Sequence, residues 1–335
     1  MSFDVAFILS TLPAFLKAVG VTLQVGLIAI ATSLGLALGA VGFAATAPQR
    51  VLEAEFARQR WLAKAGVAEY DIAGHRWVVL ESGRDAGKPL LVFVHGFTGS
   101  KENWLPLMRE MARTHRIIAP DLPGWGESER HHDGDYGPVA QAERLAQFIR
   151  ALPERPALVV GHSMGGQIVG LMSARNPGLV DRISLMSSAG VRYEENAFAN
   201  AVLAGENPFQ VTTRAELKRY LGIVFADPPF VPWPANEALV RRRRADAGFE
   251  QRVLDGIGRG PDAFALEAEL ANIQAHTLLL WCRDDRVIDV SAADVFARGL
   301  ARSQSVLLAG CGHMPMMAQP RLVADAIAGF MDGPG

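Results

Sequence analysis

The chain has 335 residues, half of them hydrophobic and a fifth charged, with a formal net charge of -2. That length suits one α/β catalytic domain with appendages, and the near-neutral balance offers no basic field for a phosphate backbone, which excludes nucleic acid as a partner. Its two cysteines, Cys282 and Cys311, are too few and too far apart for a disulfide scaffold or a metal knuckle; they read as buried small residues and leave the redox compartment open.

The first element is a run of 32 residues between Lys17 and Arg50 without a charge, rich in Leu, Ile, Val, Ala and Gly. About 20 apolar residues cross a bilayer as a helix, so residues 1–48 are expected to form a membrane anchor, with the span near 20–43. A cleaved signal peptide competes, but its apolar region is shorter and follows a basic start, and Pro48 after Ala45-Thr46-Ala47 disfavours a cut there. Arg50, Arg58, Arg60 and Lys64 follow the span and only Lys17 closely precedes it, so the positive-inside rule predicts a single-pass protein with its C-terminal part on the cytoplasmic side. Gly35 and Gly39 offer a small-xxx-small pair for a homo-oligomer through this helix, although so Gly-rich a stretch yields such pairs by chance.

A polar helical connector is expected over 49–65. Short β-like runs then alternate with helical ones: 77–80, 90–94, 116–119, 157–160, 183–186, 277–281 and 306–308 as strands, with amphipathic stretches such as 138–151 and 164–175 between them. This alternation predicts an α/β fold with a mostly parallel central sheet flanked by helices, its core formed by 66–190 and 273–335. The alternation breaks over 191–272, which reads as a helical cap or lid. That insert carries an apolar, proline-rich stretch, Leu221 to Pro234, with Phe225, Phe230 and Trp233 as candidate substrate contacts, and a basic run, Arg241 to Arg244, that reads first as a solvated face.

The chemistry starts at Gly161-His162-Ser163-Met164-Gly165, which follows a strand and opens a helix. In that context the glycines permit a tight turn that lifts a serine hydroxyl above the sheet. A serine needs a base, and the base needs a carboxylate to orient it. His313, in Gly310-Cys311-Gly312-His313, lies after the last strand, and Trp281-Cys282-Arg283-Asp284-Asp285 follows the penultimate one; Asp285 is the expected acid and Asp284 the reserve. Two amides are needed for the oxyanion, and Met164, next to the serine, and Phe97, in His95-Gly96-Phe97, are placed to supply them. His95 reads as a loop organiser and not as a second base. His131-His132 with Asp133 and Asp135 reads as a solvated turn, since no ligand spacing fits a metal.

At these residues the chain resembles the α/β-hydrolase superfamily over about residues 70–332. Asn103-Trp104, Ala119-Pro120-Asp121-Leu122-Pro123-Gly124, the 190–205 region with Glu206-Asn207-Pro208, and Val287-Ile288-Asp289-Val290-Ser291 are similar to bacterial lipases and to membrane-anchored monoacylglycerol lipases. The resemblance implies Ser163, Asp285 and His313 as a triad and Phe97 and Met164 as the oxyanion pair. Acyl transfer through the serine needs no cofactor or metal, and an enzyme held at a bilayer with an apolar flap near its entrance is expected to take a lipid acyl ester, with monoacylglycerol or short to medium chains favoured. Cys282 departs from the family's usual glycine. The same triad also serves C-C bond, amide and thioester hydrolysis, and a membrane-bound scaffold without activity is the reading from outside the enzymes.

Overall fold

The computed structural model describes residues 45–83 and 87–333, with isolated positions between 17 and 43. Most of the expected span at 20–43 therefore lies outside the described residues; among those described, no helix is long and apolar enough to cross a membrane.

Eight strands form one sheet: β1 (Ala65–Ile72), β2 (His75–Ser82), β3 (Leu90–Val94), β4 (Arg116–Pro120), β5 (Leu158–His162), β6 (Arg182–Met186), β7 (His276–Cys282) and β8 (Ser303–Leu308), in the order β1-β2-β4-β3-β5-β6-β7-β8. The pairs from β4 to β8 are parallel, while β1–β2 and β2–β4 are antiparallel. Unbroken apolar runs such as Leu90-Leu91-Val92-Phe93-Val94 are what strands covered on both faces require, and every one of these side chains is buried.

Strand β1 falls partly on the connector expected to be helical. Its sequence includes Gly66, Glu69 and Asp71, and its residues are exposed or only partly buried, so no continuous apolar run marks it. It is fixed by its neighbour instead: Ala73 and Gly74 both take positive φ, 56° and 74°, and turn the chain so that Ile72 pairs with His75.

Helix α1 (Pro48–Leu62) leads into β1. Helices α2 (Leu105–Met111), α3 (Pro138–Ala151), α4 (Met164–Arg175), α8 (Ser291–Gly299), α9 (Pro315–Ala318) and α10 (Pro320–Asp332) belong to the crossovers and the C-terminus. Helix α3 packs on α4, and α2 on α10. Between β6 and β7 the chain forms α5 (Ala197–Leu203), α6 (Arg214–Val224), α7 (Ala235–Arg259) and a 3-10 turn at Glu267–Asn272. Thr213 starts α6 with a capping box: its hydroxyl accepts from the Glu216 amide while the Glu216 carboxylate returns to the Thr213 amide. Helix α7 is held on the body of the protein by Phe249, which packs on Trp125 and Tyr136, by the Arg130–Asp246 ion pair (2.7 Å), and by Arg243, which pairs with Glu250 of the same helix and donates to the Phe209 carbonyl (2.7 Å).

Candidate active site

Strand β5 ends at Gly161-His162, and the next residue, Ser163, takes φ 55° and ψ -121°, a conformation an L-residue adopts only when its surroundings hold it. They do so through backbone bonds: the Ser163 amide donates to Met186 O (3.0 Å), and the Ser163 carbonyl accepts from Gly166 N (2.9 Å) and Ala189 N (3.0 Å). The glycines of the motif are there because the turn has no room. A Cβ on Gly161 would sit 2.2 Å from Gly165 O, and one on Gly165 would sit 2.4 Å from both Val94 O and His95 O. The expected elbow is present, with its serine buried in the lining of a cavity.

The His95-Gly96-Phe97 loop approaches the serine so closely that a Cβ on Gly96 would lie 2.8 Å from Ser163 Cβ. His95 organises this loop. Its Nε2 accepts from the Leu122 amide (3.0 Å), so the proton sits on Nδ1, which donates to Gly96 O (2.8 Å). Burial holds its pKa below the usual histidine range, consistent with this neutral form. Among the described residues, neither the Phe97 nor the Met164 amide donates a hydrogen bond, and both residues line the cavity beside Ser163. Two free N-H groups on residues that line the same cavity as the serine are donors of the kind an oxyanion needs.

On the far side of β5, the loops after β7 and β8 bring Asp285 and His313 together. His313 Nδ1 donates to Asp285 Oδ2 (2.8 Å) and lies 3.1 Å from Oδ1, with both side chains buried. Asp285 Oδ1 also accepts from the amides of Val287 (2.8 Å) and Ile288 (3.1 Å), which fixes the carboxylate plane. Asp284 takes a different part. Its Oδ2 accepts from Gly310 N (3.1 Å), so it ties the two loops by their backbone and does not meet the imidazole.

Two features of this corner escaped the sequence reading. The first is His162, whose Nε2 lies 2.6 Å from His313 O while the two rings pack 4.7 Å apart. Its pKa is depressed well below the usual range, first by burial and then by the charge that His313 carries when protonated, so it is neutral and donates Nε2-H to that carbonyl. A histidine immediately before the serine was the available signal. The second is a correction. Cys282 and Cys311 are not separate small residues but a disulfide with a Cα–Cα distance of 5.5 Å, joining the end of β7, three residues before Asp285, to the turn two residues before His313.

The cavity, about 260 Å³, is mainly apolar, with Phe198 and Val202 from α5, Leu254 and Ile257 from α7, and Phe209 and Phe264 from the adjoining loops. Arg192, Tyr193 and Glu195 add its polar groups. The three aromatics expected to contact substrate do not line it. Phe225 is packed in the core, its backbone so close to Gly312 that a Cβ there would meet Phe225 C at 3.0 Å, while Phe230 and Trp233 are 89% and 41% exposed. Helical spacing explains the true lining: 198 and 202, and 254 and 257, stand one turn apart on single faces. In the basic run, Arg241 pairs with Glu237 (3.0 Å), Arg243 with Glu250 (2.6 Å) and Arg244 with the Thr212 carbonyl, so three of its four guanidinia are engaged within the protein.

The donor atoms of His75, Glu129 and His131 lie within 4.8 Å of one another away from this cavity, but the two imidazoles are stacked at 22° and do not converge, and Glu129 already accepts from the Arg76 amide (3.1 Å). His132 and Asp133, by contrast, pair with each other in an almost fully exposed turn.

A mostly parallel sheet with a strained serine after its central strand, and an imidazole–carboxylate pair on the loops after its last two strands, is the architecture of an α/β hydrolase. The chain belongs to the alpha/beta hydrolase family, which residues 91–326 match. It is similar to the monoacylglycerol lipase ABHD6 of Mus musculus, 29% identical over 259 residues that cover 74% of this chain and 77% of that one. It is also similar to Lipase 1 of Psychrobacter immobilis, 28% identical over 77% of this chain and 81% of that one. Among solved structures, a membrane phospholipase A described as a bacterial virulence factor superposes with a TM-score of 0.82 at 32% identity, over 92% of this chain and 98% of that one. The resemblance to monoacylglycerol lipases and bacterial lipases read from the sequence motifs is found again in these relatives.

Proposed function

We propose that this chain is a serine carboxylester hydrolase of acylglycerols, acting through an acyl-enzyme on Ser163, with 191–272 as the cap that supplies the acyl site. The observation that carries the reading is the His313–Asp285 pair, held at 2.8 Å in the same corner as a strained serine and two free amides. Asp285 fixes the proton on Nδ1, which leaves Nε2 of His313 with the lone pair. Ser163 Oγ attacks the ester carbonyl as its proton passes to Nε2, and the resulting oxyanion is received by the Phe97 and Met164 amides. Collapse of the tetrahedral adduct breaks the bond to the alcohol, which takes the proton from the imidazolium and leaves. Water then attacks the acyl-enzyme, His313 accepts its proton, and the carboxylic acid departs as Ser163 is regenerated.

The apolar lining supports an acyl chain as the group that enters, and the relatives named as monoacylglycerol lipase and lipase support a glycerol ester. A second reading, an acyl ester of a phospholipid, is favoured by the membrane phospholipase A at 32% identity. Labelling with a fluorophosphonate probe, followed by turnover of monoacylglycerols of graded chain length, a diacyl phospholipid, p-nitrophenyl esters and a vinylogous diketone, tests both. Faster turnover of the monoacylglycerols supports the first reading and of the phospholipid the second. Turnover of the diketone alone refutes ester hydrolysis, and no labelling or turnover at all refutes catalysis.

The uncharged run before Arg50 supports tethering to a membrane, and the relative described as a membrane phospholipase agrees with it. The disulfide changes the side expected from the charges. Such bonds persist in oxidising compartments and are rare where thiol reductants are abundant, so the catalytic domain belongs on the non-cytoplasmic face. The charge imbalance behind the opposite expectation was a small one, and a covalent bond that must survive outweighs it.

A further inference from the structure

Phe230 and Trp233 sit in a segment that the cavity does not use. From Pro228 to Pro234 the chain reads Pro-Pro-Phe-Val-Pro-Trp-Pro, without a charge and with four prolines that fix φ and stiffen it. Phe230, Trp233 and the prolines at 228, 229 and 232 are exposed, so an apolar projection stands in water, uncovered by any of the described residues. From Trp233 to the cavity residue Leu254 the continuous helix α7 runs roughly 30 Å at 1.5 Å per residue, which puts the projection well away from the acyl site.

What lies beside it is the end of the uncharged N-terminal run. The Thr46 hydroxyl donates to Gly42 O (3.0 Å) and the Ala47 amide to Phe43 O (2.8 Å), so helical bonding reaches the start of α1. There Gln49 Nε2 donates to the Ala238 carbonyl (3.0 Å), in the first turn of α7 and five residues after Trp233. The chain therefore leaves its 32-residue uncharged run at the same pole of the domain from which the aromatic projection emerges. Exposed Arg50 stands at this junction, with no ion pair among the described residues.

We propose that the Pro228–Pro234 projection is a second membrane contact, with Phe230 and Trp233 seated in the headgroup region of a phospholipid bilayer. The inference rests on the membrane tether proposed above, which brings this pole to the bilayer. Phe and Trp favour that region because their rings are apolar and the indole N-H still finds a polar partner. Proline stiffness means that little conformational freedom is lost on insertion. Two contacts at one pole fix the rotation of the domain about its tether, which a single helix does not, and so fix how the cavity mouth stands relative to the lipid.

The test uses the full-length protein with vesicles of phosphatidylcholine and phosphatidylglycerol. Flotation of the double variant Phe230→Ser/Trp233→Ser, which lacks the projection, reads the tether alone. Tryptophan quenching by the same lipids brominated on their acyl chains reads the projection, by comparing wild type with Trp233→Phe, and it is measurable whether or not the protein floats. Loss of most of the lipid-dependent quenching in Trp233→Phe is the expected result. The double variant Phe230→Ser/Trp233→Ser is expected to hydrolyse a monoacylglycerol in vesicles about tenfold more slowly, while soluble p-nitrophenyl butyrate is turned over at the wild-type rate. Equal quenching in wild type and Trp233→Phe overturns the proposal, as does an equal loss on both substrates. A fall in oligomer mass in the double variant with quenching unchanged overturns it in favour of a contact with a second copy. Failure of the double variant to float, with quenching at Trp233 intact in the wild type, refutes the tether and leaves the contact standing.

Discussion

Two regions meet at the cavity and differ in how tightly the backbone dictates their residues. At the catalytic edge, Gly161, Gly165 and Gly96 each stand where a Cβ would lie 2.8 Å or less from another atom, and Ser163 takes a conformation that only this turn requires. In the helical insert between β6 and β7, Phe198, Val202, Leu254 and Ile257 need only be apolar and one turn apart. The first region is thus a set of fixed positions, and the second is a surface whose members are exchangeable within a class. Substitutions should be catastrophic in one and graded in the other.

The largest expected effect is that of Ser163→Ala, a loss of about a millionfold in kcat, read by single-turnover assay on a soluble ester; the size is that seen for the nucleophile of an unrelated serine hydrolase. Asp285→Asn should cost about ten-thousandfold in kcat, because it removes the acceptor that keeps the Nδ1 proton of His313 in place. Asp284→Asn keeps an oxygen able to accept from Gly310 N and loses only the charge, so it should leave kcat within about tenfold of wild type, and the ratio of the two variants measures how sharply the edge separates neighbouring carboxylates.

The elbow and the His313–Asp285 pair were legible in the sequence because their signals are local: glycines at fixed offsets from a serine, and a histidine and an aspartate in the loops after two strands. The strands from β2 to β7 were legible for a related reason, since burial on both faces demands apolar runs, whereas the half-exposed edge strand β8 showed only its last three residues, Val306 to Leu308. Three things were not legible. Strand β1 depends on its hairpin partner and not on its own hydrophobicity. The disulfide depends on register, since only the pairing of Cys282 with Leu308 in the β7–β8 ladder brings residue 282 near the turn holding residue 311. The acyl site depends on which helix faces converge. Phe225, Phe230 and Trp233 were singled out for aromatic size, yet nothing in their pattern distinguishes a residue facing a cavity from one facing the core or the outside.

The disulfide belongs to the dictated region although it is covalent and not catalytic. Cys282→Ala/Cys311→Ala frees a loop of 29 residues' separation, for which chain entropy gives about 3.6 kcal/mol of stability. The expected result is a clear fall in Tm by calorimetry, with kcat reduced more than KM is changed, because the link flanks the acid and the base and not the acyl site. In the insert, Val202→Phe should shorten the accepted acyl chain. Val202 Cγ1 already lies 2.5 Å from where a Cβ on Gly258 would be, so the added ring has to enter the cavity. A fall of about tenfold to a hundredfold in kcat/KM for long chains, with short chains unaffected, is the graded response expected there. A uniform loss at every chain length would mean that α5 acts on the catalytic edge after all.

The smallest effect concerns protons, and it also separates the regions. His95 and His162 are fully buried at the catalytic edge, and burial lowers the pKa of each, as it does less completely for His75, His115 and His276. In the unfolded chain each histidine titrates near 6.5. Because the folded values lie lower, the unfolded state binds more protons in the window between them. The stability these groups contribute is full above about pH 6.5 and is lost as pH falls through the folded values, with a slope of up to about 1.4 kcal/mol per pH unit for each histidine. The insert's own buried acid, Glu250, acts in the opposite sense, since burial raises its pKa and protonation relieves it as pH falls. Tm measured from pH 8 to pH 5.5 should therefore decline on the acid side, and His162→Gln should lower Tm at pH 8 while flattening that decline, because the variant keeps a side chain able to donate toward His313 O but no longer takes up the proton. A decline unchanged in His162→Gln would mean that other histidines carry the acid sensitivity and that the edge is more tolerant of protonation than its burial implies.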